Sequence, residues 1–344
     1  MRLGRVAVVA LALALAVLPV PAAWVERWYS RGLYLRLQPI VSRVSDLAPF
    51  ALFDVAVLGL LAAFVWWGIR FYTAAGFAGL LRRLAVRLAI TASIIYLWFL
   101  AAWGMNYRRV PLQEQLAYDS SQLTRERAVQ FARAAVDQVN ALRPAAASGP
   151  AEDAPLAEAL FVVQRQLGIE RRVLPTSPKR SLLERYFRTA AIDGMTDPFF
   201  LEIIINPDVL PSERPFVLAH EWAHLAGYAD ESEANFVAWL TCIRGGAAAR
   251  YSGWLSAYQH VSSGLPIQDR RALAASLSSA VAGDLAAERE RFARSSETVR
   301  VAARGAYDTY LRANRVDEGI ASYNAVVRLM LGVTFDGDWN PQPR

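Results

Sequence analysis

Three long apolar runs dominate the first third of the chain, and the pattern changes character after them. The runs cover residues 6–23, 50–68 and 88–105. Each is about 18 residues, enough as a helix to cross a hydrocarbon core of roughly 30 Å. Trp24, Trp28, Trp66, Trp67, Trp98 and Trp103 stand at or near the ends of these runs, where amphipathic rings favour the membrane–water interface. The pattern therefore predicts a membrane module, residues 1–107, of three transmembrane helices in a lipid bilayer. The first run also fits a signal peptide, with Arg2 and Arg5 ahead of it and small residues at its end. Asp54 interrupts only the start of the second run, close enough to a span end to be solvated.

After Met105 the hydropathy falls and helical periodicity takes over. Ala128, Phe131, Ala132, Ala135, Val139 and Leu142 recur at three- and four-residue spacing, which predicts an amphipathic helix. Residues 144–155 read as a flexible linker, and a second helix is expected over 156–167. Residues 199–205 are aromatic and β-branched and end at Asn206-Pro207, which predicts a strand. From about residue 267 the chain reads as mostly helical, with Gly305 and Gly319 as breaks. Residues 108–344 thus form a second domain. The expected fold class is mainly α with a small β-sheet, built on N-terminal transmembrane helices.

Composition narrows the function classes. With 54% hydrophobic residues and a mean hydropathy of +0.20, the 344-residue chain is neither disordered nor collagen-like. A single cysteine, Cys242, excludes a disulfide scaffold. The net charge of +6 invites a nucleic-acid reading, but its distribution excludes it. Residues 1–107 hold ten arginines and only Glu26, Asp46 and Asp54 as acids, so residues 108–344 balance at −1. The excess positive charge flanks the apolar runs, as in a membrane protein rather than on a DNA-binding face. Six arginines fall on each side of the three spans; the pairs Arg2–Arg5 and Arg82–Arg83 favour an N-terminus in the cytoplasm. Residues 108–344 then lie outside it.

The chemistry centres on His220-Glu221-Trp222-Ala223-His224, an H-E-x-x-H sequence. The chain has only three histidines, and this motif takes two of them. Ser212 is placed to cap a helix that tolerates Pro215 in its first turn and ends at Gly227. On that helix the two imidazoles lie one turn apart on one face, able to reach a single tetrahedral Zn²⁺. Glu221 lies beside them, placed to take a proton from zinc-activated water. Three acids follow. Asp230 and Glu233 have the N-cap and N3 spacing of a capping box, which gives both a structural role. Glu231 has none and is the leading third ligand, with Glu233 and Asp230 as alternatives. Asn235, four residues after Glu231, is expected to hydrogen-bond a ligating imidazole. His260, Tyr307, Tyr310 and Tyr323 are candidate stabilisers of a tetrahedral oxyanion, Tyr323 first among them.

His220-Glu221-x-x-His224 followed by Glu231-x-x-Ala234-Asn235 resembles the gluzincin pattern, an HExxH with a downstream ExxA[ND]. The glycine three residues after the second histidine is similar to metzincins, but their third histidine falls here on Asp230. The layout also resembles an uncharacterised family of bacterial membrane proteins with three N-terminal spans and a zincin-like domain. The matching stretches are 103–107, Pro198-Phe199, Asn206, 310–314 and 319–324. The resemblance implies a peptidase-like fold in the bacterial inner membrane. In zincins the strand before the active helix borders the cleft, so residues 200–205 are expected to pair with an extended peptide.

The leading expectation is a membrane-anchored zinc metallopeptidase acting on a peptide or protein substrate, with Glu221 as general base. The alternatives are a receptor or scaffold with structural zinc, and a zinc amide hydrolase of the cell wall. Structural zinc requires a fourth protein ligand. Cys242 would have to supply it from about 16 Å along the second helix.

Overall fold

The computed structural model describes residues 2–149, 152–314, 316 and 325–344. Helices make up most of it, and the sheet is one antiparallel pair, so the protein is mainly α with a small sheet.

The first apolar run does not form one straight span. Helix Arg2–Val17 stops ahead of Pro19 and Pro21, and the chain turns by 112° into the helical stretch Ala22–Ser45. Proline lacks an amide donor and drives the residue before it out of helical geometry, which accounts for the break. At about 24 Å, Arg2–Val17 falls short of a hydrocarbon core of roughly 30 Å. Among the described residues, two segments are long and apolar enough to cross a membrane, Leu52–Thr73 and Gly79–Ala102; the bent pair adds a third only as a broken span. The protein is therefore a membrane protein with fewer straight spans than the three expected.

Both crossing segments belong to the helical path Leu52–Ala102, which is not straight. Phe53 and Phe99 both pack on the Phe199 ring, with centroids 6.3 and 6.1 Å away. A straight helix would hold those two residues about 70 Å apart. The Arg87 guanidinium likewise lies over Trp67, 5.6 Å from the ring centre. The path thus doubles back between Thr73 and Gly79, and both arms end at the same level, beside Phe199.

Beyond residue 107 the amphipathic pattern is realised as Arg125–Ala146, longer than expected and running through Pro144, followed by Asp153–Gln166. Strand β1, Gly194–Asp197, pairs antiparallel with β2, Glu202–Ile205, in the register Gly194↔Ile205 to Asp197↔Glu202. The expected strand over 199–205 is shorter because Pro198–Leu201 form the turn, with Leu201 at φ 55°. Gly305 does not break its helix, Glu297–Ala313. One exposed glycine costs only about 1 kcal/mol, less than the rest of the helix supplies. Gly319 lies outside the described residues.

One apolar core joins both parts of the chain. Tyr34, Phe99 and Trp103 pack in the same cluster as Leu218, Trp222 and Trp239. Polar anchors reinforce the join. The fully buried Glu202 carboxylate accepts the Leu52 and Phe53 amides at 3.0 and 3.2 Å, capping the first membrane arm, and pairs with Lys179 at 2.8 Å. Asp54 accepts the Ser181 hydroxyl (2.9 Å) and the Leu182 amide (2.7 Å), so its carboxylate serves the same join. Replacing Glu202 by Ala leaves Lys179 with Ser45 O and the longer 3.7 Å contact to Asp46 and uncaps the Leu52 and Phe53 amides; breaking a buried pair costs about 3–5 kcal/mol. Denaturant unfolding of Glu202→Ala in detergent should show that loss. A variant as stable as the parent would contradict the anchoring role.

Candidate metal centre

Local sequence sets two consecutive helices. The first, Arg214–Leu225, opens with Pro215 in its first turn, where no amide donor is needed. The expected cap at Ser212 is not used. The helix begins after Glu213, whose carboxylate accepts the Leu210 amide at 2.9 Å and pairs with Arg291 at 2.6 Å. Gly227, at φ 85°, ends the helix, and the Tyr228 amide donates back to Ala223 O at 3.1 Å. In the second, Glu231–Cys242, every residue is buried. The Asp230 carboxylate starts it, accepting the Ser232 and Glu233 amides at 2.9 and 3.2 Å.

These helices bring His220, His224 and Glu231 together, with one candidate ligand atom from each lying within 4.8 Å of the others. The separations are 3.0 Å between the two Nε2 atoms, 3.2 Å from His220 Nε2 to Glu231 Oε2, and 3.6 Å from His224 Nε2 to the same oxygen. His224 Nδ1 lies 2.8 Å from Tyr228 O. A carbonyl only accepts, so that nitrogen carries the proton and Nε2 of the neutral ring presents a lone pair. Glu231 Oε2 is buried and accepts no aligned hydrogen bond. Lone pairs therefore converge on one point, which suits a cation or a proton. In the ion-free protein burial opposes charge on His224, but the Glu231 carboxylate outweighs it and raises the ring to about 9. Burial also disfavours the Glu231 carboxylate, and the two imidazoles reverse this, holding it well below the usual range.

Glu233, the first alternative ligand, points elsewhere. Its Oε1 accepts the Leu112 amide at 2.5 Å, so the reciprocal half of a capping box is not made. Burial, with Asp230 close by, pushes its carboxyl up to about 8. Asp230, the second alternative, is occupied by its cap. Asn235 is buried, but its Nδ2 has no hydrogen-bond partner and neither has His220 Nδ1. The expected bond from Asn235 to an imidazole is therefore not formed.

Glu221 is buried beside the histidines. Its Oε2 accepts the Thr196 hydroxyl of β1 at 2.8 Å, and the same hydroxyl donates to Glu221 O at 2.9 Å. Burial raises the Glu221 carboxyl above its ordinary value, against the pull of both imidazoles. Gly194 gives the carboxylate its room, since a Cβ there would lie 2.5 Å from Glu221 Oε1. Both strands pack on the motif helix, but the outer edge of β2 is taken: Ile203 O already accepts the Lys179 amide at 2.8 Å. In this register Gly194 and Thr196 turn their N–H and C=O away from β2. Among the described residues no backbone bond covers them. The free edge is therefore on β1 rather than on residues 200–205.

The end of the motif helix is held by residues far away in sequence. Trp103 Nε1 donates to His224 O at 2.9 Å, Tyr34 OH to Leu225 O at 2.7 Å, and Arg109 to Gly227 O at 3.0 Å. Arg109 is in turn paired with the buried Glu26 at 2.9 Å. Sequence reasoning did not find Thr196, Gly194, Tyr34, Arg109 or the pinning role of Trp103; only Trp103 carried a signal, in the stretch 103–107.

Among the candidate oxyanion stabilisers, Tyr307 reaches the cluster and donates a hydrogen bond to Glu231 Oε1. Tyr310 stacks on Tyr307 at 5.8 Å and meets Tyr107 edge-on at 6.1 Å. His260 packs on Phe216 at 6.4 Å, and burial, with His220 nearby, lowers it to about 4. Tyr323 lies outside the described residues. Cys242 is buried at the far end of its helix and is not part of the cluster.

Metal analysis of purified variants separates the acids. Glu231→Ala should lose most of the bound metal that the parent retains. Glu233→Ala should keep it. Metal lost from Glu233→Ala and kept by Glu231→Ala would overturn the arrangement.

No curated protein and no solved structure gives a significant match to the chain. A family model described as "Protein of unknown function (DUF3810)" matches residues 29–331, a stretch that takes in the membrane arms, both helices of the cluster and the strand hairpin. The chain belongs to that family.

Proposed function

We propose that the protein is a membrane-anchored, zinc-dependent peptidase, with a zincin-like domain over residues 108–344 on the extracytoplasmic side of a bacterial inner membrane. The convergence of His220, His224 and Glu231 beside the Glu221 carboxylate carries this reading. Tetrahedral zinc with ligand distances near 2.0–2.1 Å separates its ligand atoms by about 3.3 Å. The observed separations of 3.0, 3.2 and 3.6 Å bracket that value. The two imidazoles and one carboxylate are also the donor set of catalytic rather than structural zinc. Structural zinc requires a fourth protein ligand, and no fourth His, Cys, Asp or Glu joins the cluster among the described residues.

Bound at this point, zinc supplies Lewis acidity, acidifying water and polarising a substrate carbonyl. The protein's own groups do the rest. Glu221 takes the proton from the attacking water and passes it to the leaving amine. Thr196 fixes Oε2, so the carboxylate cannot swing away. The β1 edge offers the Gly194 and Thr196 backbone groups to an extended peptide by strand addition. Among the described candidates Tyr307 is the one at the cluster, and it would serve a developing oxyanion by turning its single proton from Glu231 Oε1 to the substrate. Arg70, Arg82, Arg83 and Arg87 flank the reversal of the arms, which supports a cytoplasmic position for that end.

Glu221→Gln is nearly isosteric and removes only the base. It should keep its metal and its thermal melting while cleavage falls by roughly 10²–10⁴-fold. Unchanged cleavage by the variant would show that Glu221 is not the base. A wild-type protein that retains metal yet cleaves no peptide of a diverse library would sink the peptidase reading.

A further inference from the structure

The position of the metal cluster relative to the membrane arms carries an inference about substrate, and it rests on the peptidase reading above. Trp103, the residue immediately after the crossing segment Gly79–Ala102, bonds directly to His224 O at 2.9 Å. Tyr29 OH reaches back to Ala101 O at 3.1 Å, inside the last turn of that arm. The strand hairpin is moored at the same level. Phe199, in the β1–β2 turn, is wedged between Phe53 and Phe99 at the ends of the two arms, and Trp98 Nε1 donates to Phe199 O at 3.0 Å. β1 therefore has one end, Asp197, at the arm ends, and from Thr196 to Gly194 it runs along Glu221. Four strand residues span only about 10 Å, so the free edge leads from the bilayer surface to the candidate base.

The helical stretch Ala22–Ser45 marks where that surface lies. It leaves Arg2–Val17 at 112°, close to a right angle, while Arg2–Val17 packs against the arms. One face is buried, with Val25, Tyr29, Tyr34, Leu35 and Gln38, and its Tyr34 hydroxyl holds the end of the motif helix. The other face exposes Trp28, Ile40 and Val44, interleaved with Arg27, Arg36 and Arg43. Aromatic and aliphatic residues alternating with arginine on the exposed face of such a helix suit a bilayer interface with anionic headgroups. The same helix thus presents a lipid-compatible face on one side and pins the end of the motif helix on the other.

We propose that this site takes polypeptides where they leave the bilayer: its substrates are the juxtamembrane segments of membrane-anchored proteins. A chain emerging beside the arms enters the β1 edge from its membrane end. An extended chain advances about 3.3 Å per residue and β1 is about 10 Å long, so the bond reaching Glu221 lies within roughly eight residues of the substrate's own span.

The test uses the full-length, metal-loaded protein in vesicles of zwitterionic and anionic phospholipid. A library of twelve-residue sequences is presented in three forms: fused directly to a single-span anchor in the same vesicles, fused through a fifteen-residue Gly/Ser spacer, and free in solution. The directly anchored form should be cleaved at least tenfold faster than the other two, within eight residues of the anchor, and Glu221→Gln should abolish that cleavage. Equal rates for the three forms, or cleavage at a fixed sequence regardless of spacer, would overturn the substrate class and leave the peptidase reading standing. No cleavage of any form by metal-loaded protein would overturn both.

Discussion

A buried carboxylate facing two imidazoles is the interaction on which the rest of this structure depends. Glu231 sits in a helix with no exposed residue, and its Oε2 faces the His220 and His224 Nε2 atoms at 3.2 and 3.6 Å. Burying such a charge without compensation is prohibitive. A shared positive charge between the three side chains is the compensation the geometry offers. The surrounding fold holds that geometry from both sides. Gly227 and Asp230 turn the chain so that the second helix packs on the first. The bonds from Trp103, Tyr34 and Arg109 then fix the last turn that carries His224.

Those three pins all come from the first third of the chain or just beyond it, which gives the membrane module a role beyond anchoring. The arms end at Phe199, Glu202 caps one of them, and the opposite face of the same hairpin holds Glu221 through Thr196. The strand hairpin thus lies between the arm ends and the histidine cluster and is held from both faces. A soluble fragment beginning near residue 108 would lose Trp103, Tyr34 and the Glu26 partner of Arg109 together.

The local parts of this arrangement were legible in the sequence and the long-range parts were not. The H-E-x-x-H spacing and the Asp230 cap follow from helix periodicity and capping rules acting over a few residues; Glu231 rather than Glu233 faces the histidines, but Glu233 is diverted by the Leu112 amide and not by a capping box. The apolar runs were equally plain, although Pro19 and Pro21 end the first helix too early for a straight span. β1 escaped because Gly-Met-Thr-Asp is short and shows no apolar alternation; its strand character comes from pairing with β2 and packing on Glu221. The capping-box reading of Glu233 failed in its reciprocal half because a tertiary donor, the Leu112 amide, competes better than a neighbouring one. Nothing in the spacing around residues 34, 103 or 109 reveals that those side chains reach the end of a helix more than a hundred residues away.

The account turns on what lies between the three converging side chains, and X-ray absorption at the metal edge of the purified full-length protein tests it most directly. The expected spectrum is that of one ion with two imidazole nitrogens, one carboxylate oxygen and one light atom not supplied by the protein, at about 2.0–2.1 Å. A sulfur scatterer from Cys242, four protein ligands, or protein that takes up no metal would contradict it.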